Sequence, residues 1–357
     1  MFQGISISGS NIQLSHLFYA DDALFIGEWS HQNIKNLARL LKCFYVSSGL
    51  SVNYRKSKVF GIGVNSQEVE NWALPLGCEP STLPFTFLGI PVGENMNRKS
   101  SWNLIIENFR NKLSCWKSKS LSFGGRMNLA KPVLGNLPTF YLSLFAAPLG
   151  VIETLEKIRR NFIWGGTNNE HKIRWVTWDT ILAPKEAGGL GMGSIKAMNL
   201  ALLAKWKWKF FSRAKLDMDS DIIRRNQEES RWEFDFAIDG KFHVAGLRGT
   251  IDRAGHLAPD GAFTWSKWIP NKVNRFVWRA RIDRIPSASA LMRRGVNIQG
   301  ETCSVCISGS ETADHMLVTC PFAIAIWNRI WNWCEIILPQ LSNVKGILNF
   351  VATCGKS

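Results

Sequence analysis

The chain has 357 residues, of which 46% are hydrophobic, a composition that excludes a disordered polypeptide and allows two or three folded domains. Its formal charge of +15 calls for a polyanionic partner, either a nucleic acid or an acidic membrane surface. The longest apolar run, residues 140–148, is far shorter than the roughly 20 residues of a membrane-spanning helix. No secretory signal is visible at the N-terminus, so we expect a nuclear or cytoplasmic protein that is not secreted and does not act on membranes.

The first segment predicts a small α+β unit. Two apolar runs within residues 12–27 flank Asp21 and Asp22, a pattern typical of a β-hairpin with an exposed acidic tip. Apolar residues at helical spacing predict a helix over residues 33–48, and residues 50–53 and 59–62 look like two short strands. Adjacent carboxylates at a turn suit Mg²⁺, although such pairs are also common as solvated turns.

From Trp102 onward the apolar spacing becomes helical and the charge becomes basic. It predicts helices over residues 102–116, 125–137, 152–164 and 199–211. Residues 98–174 hold 13 Lys or Arg and 4 Asp or Glu, an excess of 9 positive charges. The candidate phosphate contacts in this region are Lys112, Lys117, Lys119, Arg126, Lys131, Arg159, Arg160, Lys172 and Arg174. For any single one of them, a solvated helix face is the alternative interpretation.

The charge then reverses, since residues 217–239 contain eight acids and three arginines, a pattern that indicates a linker or a poorly specified junction. A strand over 241–244 and helices over 245–252, 265–282 and 324–336 are predicted next. We expect the last of these helices to end the ordered part.

Four soft ligands lie close together near the C-terminus, at Cys303, Cys306, His315 and Cys320. Two close ligand pairs within 18 residues, in a reducing compartment, favour a tetrahedral zinc site with no open position, hence a structural one. The alternative is a group of buried thiols without metal. Gly309 would let the intervening loop turn.

Several motifs follow one another in an order that resembles plant non-LTR (LINE-type) retrotransposon reverse transcriptases. They are SHLFYADDALF (15–25), SGLSVN (48–53) with Lys56 and Ser57, FLGIPVG (87–93), KLSCWK (112–117), LSFGGR (121–126), FIWGG (162–166), GGLG (188–191) and the Cys/His cluster. The resemblance covers nearly the whole chain and fails only over residues 212–239.

The resemblance implies roles for individual residues. Asp21 and Asp22 would be two of the three carboxylates that bind catalytic Mg²⁺, and Lys56 would protonate the leaving pyrophosphate. Leu88 and Gly89 would form the primer grip. For Lys56, a solvated loop lysine is an equally good interpretation.

The resemblance also implies the organisation of the chain. The expected regions are a partial palm with the primer-grip turn (1–95), a basic helical thumb and connection (96–211), an acidic linker (212–239), a zinc-binding domain (240–340) and a tail (341–357). The implied partners are an RNA template, a DNA primer or target, and dNTP. The first catalytic aspartate and the fingers are not among these residues, so we expect this polypeptide alone to lack polymerase activity. The alternatives are a non-catalytic, zinc-dependent nucleic-acid-binding protein derived from a retrotransposon, and a pseudogene product without a selected role.

Overall fold

The computed structural model describes residues 2–7, 12–113, 120–136, 138–165, 173–214, 224–226, 231–233, 237–238, 241–256, 263–337 and 341–354. These residues form two compact units, 1–95 and 96–357. No described helix is both long enough and apolar enough to cross a membrane.

The first unit contains two helices and short strands that pair two by two. Its helices are α1 (His31–Ser48) and α2 (Ser66–Leu76). Its strands are β1 (Ile5–Ser6) with β2 (Gln13–Leu14), β3 (His16–Tyr19) with β4 (Asp22–Phe25), β5 (Lys58–Phe60) with β6 (Glu79–Ser81), and β7 (Phe85–Phe87) with β8 (Ile90–Val92). Only the β5–β6 pair is parallel among these.

The predicted hairpin and first helix are confirmed. Tyr19 pairs with Asp22, so a two-residue loop joins β3 to β4. Helix α1 begins after Ser30, whose hydroxyl accepts the Asn33 N–H, and ends at Gly49 in the left-handed region at φ 70°. These two local signals therefore fix both ends of the helix.

The strand predicted over residues 50–53 is wrong. This segment is irregular and leads into a 3₁₀ turn, Tyr54–Lys56. The side chain of Asn53 accepts the Lys56 N–H, which stabilises the turn in place of a strand ladder. The next predicted strand is present but shorter, as β5, and Lys58 within it lies 3.6 Å from Glu79 of β6.

The second unit is mainly helical. Together with the strands and helices of the first unit, this confirms the α+β class predicted for the chain. Its helices are α3 (Asn103–Lys112), α4 (Phe123–Asn136), α5 (Pro138–Leu144), α6 (Leu149–Trp164), α7 (Trp178–Leu182), α8 (Ile195–Ala214), α9 (Val244–Gly255), α10 (Asn271–Arg281), α11 (Ala288–Met292), α12 (Pro321–Trp333) and α13 (Val344–Cys354). Two short antiparallel pairs join β9 (Arg224–Asn226) to β10 (Arg231–Glu233) and β11 (Ala237–Ile238) to β12 (Lys241–Phe242).

One hydrophobic core connects the basic helices with the segment beyond the acidic stretch. Trp102, Phe109, Leu155 and Ile163 are fully buried in it, together with Trp278 of α10, which is 1% exposed. The Trp278 indole N–H donates to the carbonyl of Gly188 at 2.8 Å. Because this large side chain is both buried and hydrogen-bonded, α10 of the predicted zinc-binding region is fixed against the helices that precede it.

The expectation that order ends near residue 336 is wrong. Helix α13 follows, and its Val344 and Ile347 are buried in a small core with Ala313 and Val318. The Val344 N–H donates to Asp314 at 2.8 Å, which satisfies a backbone donor at the start of the helix. The apolar face of α13 packs on this small core beside the Cys/His cluster, and the segment is therefore ordered.

Candidate metal centre and basic surface

The first two ligands of the Cys/His cluster lie on a tight loop. Cys303 donates its N–H to the carbonyl of Gly309 at 2.7 Å, and Ile307 donates to the carbonyl of Cys303 at 3.0 Å. Ile307 has a φ of 58°, a left-handed conformation that folds the loop back on itself. The loop thereby turns the Cys303 and Cys306 side chains to one side.

The second pair of ligands flanks a π-helical turn, His315–Thr319, that leads directly into α12. The Cys320 N–H donates to the carbonyl of His315 at 2.8 Å, and Pro321 starts α12, three residues before the predicted helix start at residue 324. π-helical turns are rare and often occur at functional sites.

The structure brings all four predicted zinc ligands together. Their ligand atoms lie within 4.8 Å of one another, and Nε2 of His315 is 3.1 Å from the sulfur of Cys306. Zinc bonds of about 2.3 Å to sulfur and 2.0 Å to nitrogen place the ligand atoms of a tetrahedral site roughly 3.5–3.8 Å apart. The geometry and the donor set therefore fit Zn²⁺, which would cross-link the loop to the start of α12 as a structural ion.

The surroundings of Cys306 and Cys320 shift the pKa values of these two thiols in opposite directions. Hydrogen bonds from the side chain and the backbone of Ser308, and further bonds with His315 and Cys303, lower the pKa of Cys306 to about 6. Burial raises the pKa of Cys320, and its neighbour Cys306 raises it further. Of these two thiols, Cys306 is therefore the readier metal ligand at neutral pH.

Two neighbours of His315 fix its ring. Nδ1 lies 3.5 Å from the hydroxyl oxygen of Thr319, which leaves Nε2 facing the cysteines. This second contact is typical of metal-binding histidines, and the four-residue spacing within the turn is the only sequence signal for it. Gly309 lies next to Cε1 and Nδ1 of the ring.

Gly309 makes room for the imidazole, a role that the sequence did not reveal. A Cβ at this position would lie 3.0 Å from Cε1 and 3.2 Å from Nδ1 of His315. We therefore expect Gly309→Ala to displace the ring and weaken zinc binding by roughly tenfold, as loss of other supporting contacts does. Competition with a chromophoric chelator measures this, and Ser304→Ala, an exposed change in the same loop, is the control. Equal zinc affinity in Gly309→Ala and wild type would show that the contact is unimportant.

Two of the predicted phosphate contacts have structural roles instead. Arg159 is 0% exposed, bonded to Glu156 at 2.7 Å and to the carbonyl of Gly193 at 3.2 Å, so the prediction that it contacts phosphate is wrong. Arg126 is half-buried, and its Nε donates to the carbonyl of Ile163 at 2.7 Å. The sequence alone does not show which arginines of a helix point inward and bond to buried acceptors, and which point to solvent.

Of the seven remaining predicted phosphate contacts, four lie within the described residues. Lys112, Lys131 and Arg174 are exposed, and Arg160 is half-buried. Desolvation lowers the pKa of Lys131, and the charges of Lys185, Arg275 and Arg248 lower it further, so positive charge is concentrated around this lysine. Lys117, Lys119 and Lys172 lie outside the described residues.

The polymerase-type residues of the first unit lie on exposed turns. Asp21 and Asp22 are at the tip of the β3–β4 hairpin, and Lys56 ends the 3₁₀ turn. Leu88 and Gly89 join β7 to β8 with φ of 51° and 78°, the two-residue turn that suits strand twist. Among the residues that the structure describes, no third carboxylate joins Asp21 and Asp22 in a potential metal-binding group.

Comparison with known proteins supports the zinc-binding assignment. Residues 250–327, which include all four ligands, match the family described as zinc-binding in reverse transcriptase. The chain is 30% identical over 179 residues to a proposed ribonuclease H protein of Arabidopsis thaliana, a match to 50% of this chain and 26% of that protein. It is 34% identical over 74 residues to an uncharacterized mitochondrial protein of the same plant, a match to 20% of this chain and 48% of that protein. The chain therefore spans about half or less of these relatives, and it is over residues 250–327 that it resembles the zinc-binding domain of reverse transcriptases.

Proposed function

We propose that the chain is part of a LINE-type retrotransposon reverse transcriptase and contains part of its palm, its thumb and its zinc-binding domain. In this proposal the second unit holds an RNA template and a DNA primer, and zinc stabilises it without taking part in chemistry. The observation that carries the proposal is the assembled Cys₃His cluster within a segment similar to the reverse-transcriptase zinc-binding family.

The first unit would supply part of the polymerase site. Mg²⁺ in such a site activates the primer hydroxyl and stabilises the leaving pyrophosphate. Asp21 and Asp22 would hold the ion, because the hairpin presents both carboxylates at its exposed tip. The Leu88–Gly89 turn would bring backbone close to the primer, and exposed Lys56 would deliver a proton.

A second candidate is a zinc-dependent nucleic-acid-binding protein without catalysis. The absence of a third carboxylate beside Asp21 and Asp22, within the described residues, favours it. Both candidates require nucleic-acid binding. Because we expect this polypeptide alone to lack polymerase activity, a primer-extension assay separates them in one direction: templated DNA synthesis would reject the second candidate. The name of the first relative refers to ribonuclease H, but the chain spans only 26% of that protein, so we do not extend that activity to this chain.

Binding should be strongly dependent on salt. The described cations Lys112, Lys131 and Arg174 are exposed, and each phosphate they neutralise releases a condensed counterion. We expect the slope of log K against log salt concentration to be about −0.9 per phosphate contact on a duplex, with little sequence preference. Fluorescence anisotropy with a labelled RNA–DNA hybrid between low and moderate KCl measures this slope. An affinity that does not change with salt, or no affinity at all, would contradict the proposed function.

A further inference from the structure

A concave, strongly basic cleft lies between the helical region and the zinc-binding segment. Its volume is about 310 Å³. One wall comes from α6 and the segment that follows it, and the other from the chain on either side of α11. The lining residues that matter here are Arg160, Arg174, Arg284, Arg294, Trp175 and Trp178.

The tryptophans hold two of the arginines in place. The Arg294 guanidinium lies 4.9 Å from the Trp175 ring centroid, and the Arg160 guanidinium lies 5.4 Å from that of Trp178. Arg294 also donates to the carbonyl oxygens of Arg174 at 2.8 Å and Trp175 at 3.2 Å, which fixes its orientation. A guanidinium that is already ordered loses little entropy when it binds an anion.

The positive charge of the cleft is not neutralised within the described residues. No acidic side chain is among those that line it. The nearest acids in sequence are paired elsewhere, Asp283 with Arg293 at 2.9 Å and Asp179 with His256 at 3.0 Å. Desolvation lowers the pKa of Arg294, and the neighbouring charges of Arg284 and Arg293 lower it further. An anion would relieve this crowding of like charges.

Two donors at the cleft also lack an acceptor. Nε of Arg160 and Nε1 of Trp178 are shielded from solvent and have no hydrogen-bond partner in the described part of the chain. A buried donor without a partner is costly, and because these two atoms are shielded, a ligand's acceptor oxygens would reach them only after a shift of the Arg160 or Trp178 side chain.

We propose that this cleft binds a phosphodiester and its adjoining base from single-stranded nucleic acid. The inference rests on the proposed function, and it specifies which surface of the second unit grips an unpaired strand. Arginines present paired N–H groups to phosphate oxygens. The guanidinium planes of Arg294 and Arg160, which lie over the Trp175 and Trp178 rings, offer a surface on which an unpaired base stacks. The bases of a duplex are already stacked on each other and present no free face to such a site. RNA and DNA share the chemistry that this cleft recognises.

The test uses a double variant, Arg174→Gln with Arg284→Gln. Arg174 accepts its hydrogen bond from Arg294 through its backbone carbonyl, so the substitution preserves that bond. The control is Lys157→Gln with Lys196→Gln, which removes the same charge from exposed positions outside the cleft. Labelled single-stranded 12-mers of RNA and of DNA, and a duplex of the same length, are the probes. Far-UV circular dichroism and melting establish that all variants are folded.

We expect the cleft variant to lose about tenfold in affinity for the single strands and the slope of log K against log salt to fall by about 1.4, for two lost phosphate contacts. The control should lose much less, and duplex binding should lose no more than the one phosphate contact assigned to Arg174. A larger loss with RNA than with DNA would add contact with the 2′-hydroxyl, and equal losses would assign the site to phosphate and base alone. If both variants lose affinity equally, or the duplex suffers as much as the single strand, the cleft proposal is wrong while the proposed function stands. No binding by the wild type would instead reject the proposed function.

Discussion

Removal of zinc should unfold the segment around residues 303–320 and markedly lower the melting temperature of the second unit. The core at this point is small, because it consists of Cys303, Cys320 and Ala323 with Cys306 and Trp327 packed against it. Three of these five residues are predicted ligands, so without metal little apolar surface remains to hold the loop against α12. Structural zinc contributes about 10–16 kcal/mol in zinc-finger peptides, far more than so small a core can supply.

Two neighbouring tryptophans provide the signal for this experiment. The Trp327 indole N–H donates to the carbonyl of Leu317 at 2.7 Å, within the turn that carries His315, and its ring stacks on Trp331 at 5.7 Å. Loss of the ligand geometry should release this hydrogen bond and the stacking. We therefore expect chelation to reduce the near-UV circular dichroism of the protein.

Matched cysteine variants separate a metal effect from loss of a thiol. Cys303→Ser removes a buried ligand, whereas Cys334→Ser makes the same change at an exposed thiol just beyond α12. We expect Cys303→Ser to lose bound zinc and to melt like the chelated wild type, and Cys334→Ser to keep both properties. Elemental analysis gives the zinc content and calorimetry gives the melting. Unchanged melting after complete removal of zinc would reject a structural metal.

Local signals account for most of what the sequence predicted correctly. The β3–β4 hairpin follows from apolar runs around a short acidic turn, and α1 follows from helical spacing between Ser30 and Gly49. The Cys/His spacing likewise predicted a cluster that the structure assembles. In each case the residues that decide the structure lie within one turn or one loop of each other, so tertiary packing adds little information.

The predictions that were wrong depend on contacts between distant parts of the chain. Nothing local shows that Val344 can pack against Val318 or that its N–H can reach Asp314. Residues 50–53 have strand propensity, but the Asn53 side chain stabilises a turn just after them. The cleft is the clearest case, since Arg160 and Arg294 are 134 residues apart in sequence and meet through the fold. Its arginines and tryptophans therefore carry no motif that spacing alone could detect.

Arg159→Met should reduce the free energy of unfolding of the second unit by about 3–5 kcal/mol, the usual cost of removing one partner from a buried ion pair. Glu156 accepts from Arg159 through one oxygen at 2.7 Å and from the Ile195 N–H through the other at 2.8 Å. It therefore links α6 to the first residue of α8, a helix end that favours negative charge. Burial lowers the pKa of Arg159, and Glu156 acts in the opposite direction, so the pair compensates a desolvation cost that neither charge could bear alone.

Urea unfolding followed by far-UV circular dichroism measures the loss, and Lys157→Met, on the exposed face of the same helix, should change stability by about 0.5 kcal/mol or less. The double variant Arg159→Met with Glu156→Gln should lose less than the sum of the single changes, because a glutamine amide still accepts the Ile195 N–H and leaves no unpaired charge.

The salt dependence of nucleic-acid binding gives an independent readout. A guanidinium with no exposed surface cannot release a counterion from a phosphate, so the slope for folded Arg159→Met should equal that of the wild type. A variant that keeps its stability but binds with a shallower slope would instead place Arg159 on the nucleic-acid surface, as its basic sequence context had suggested.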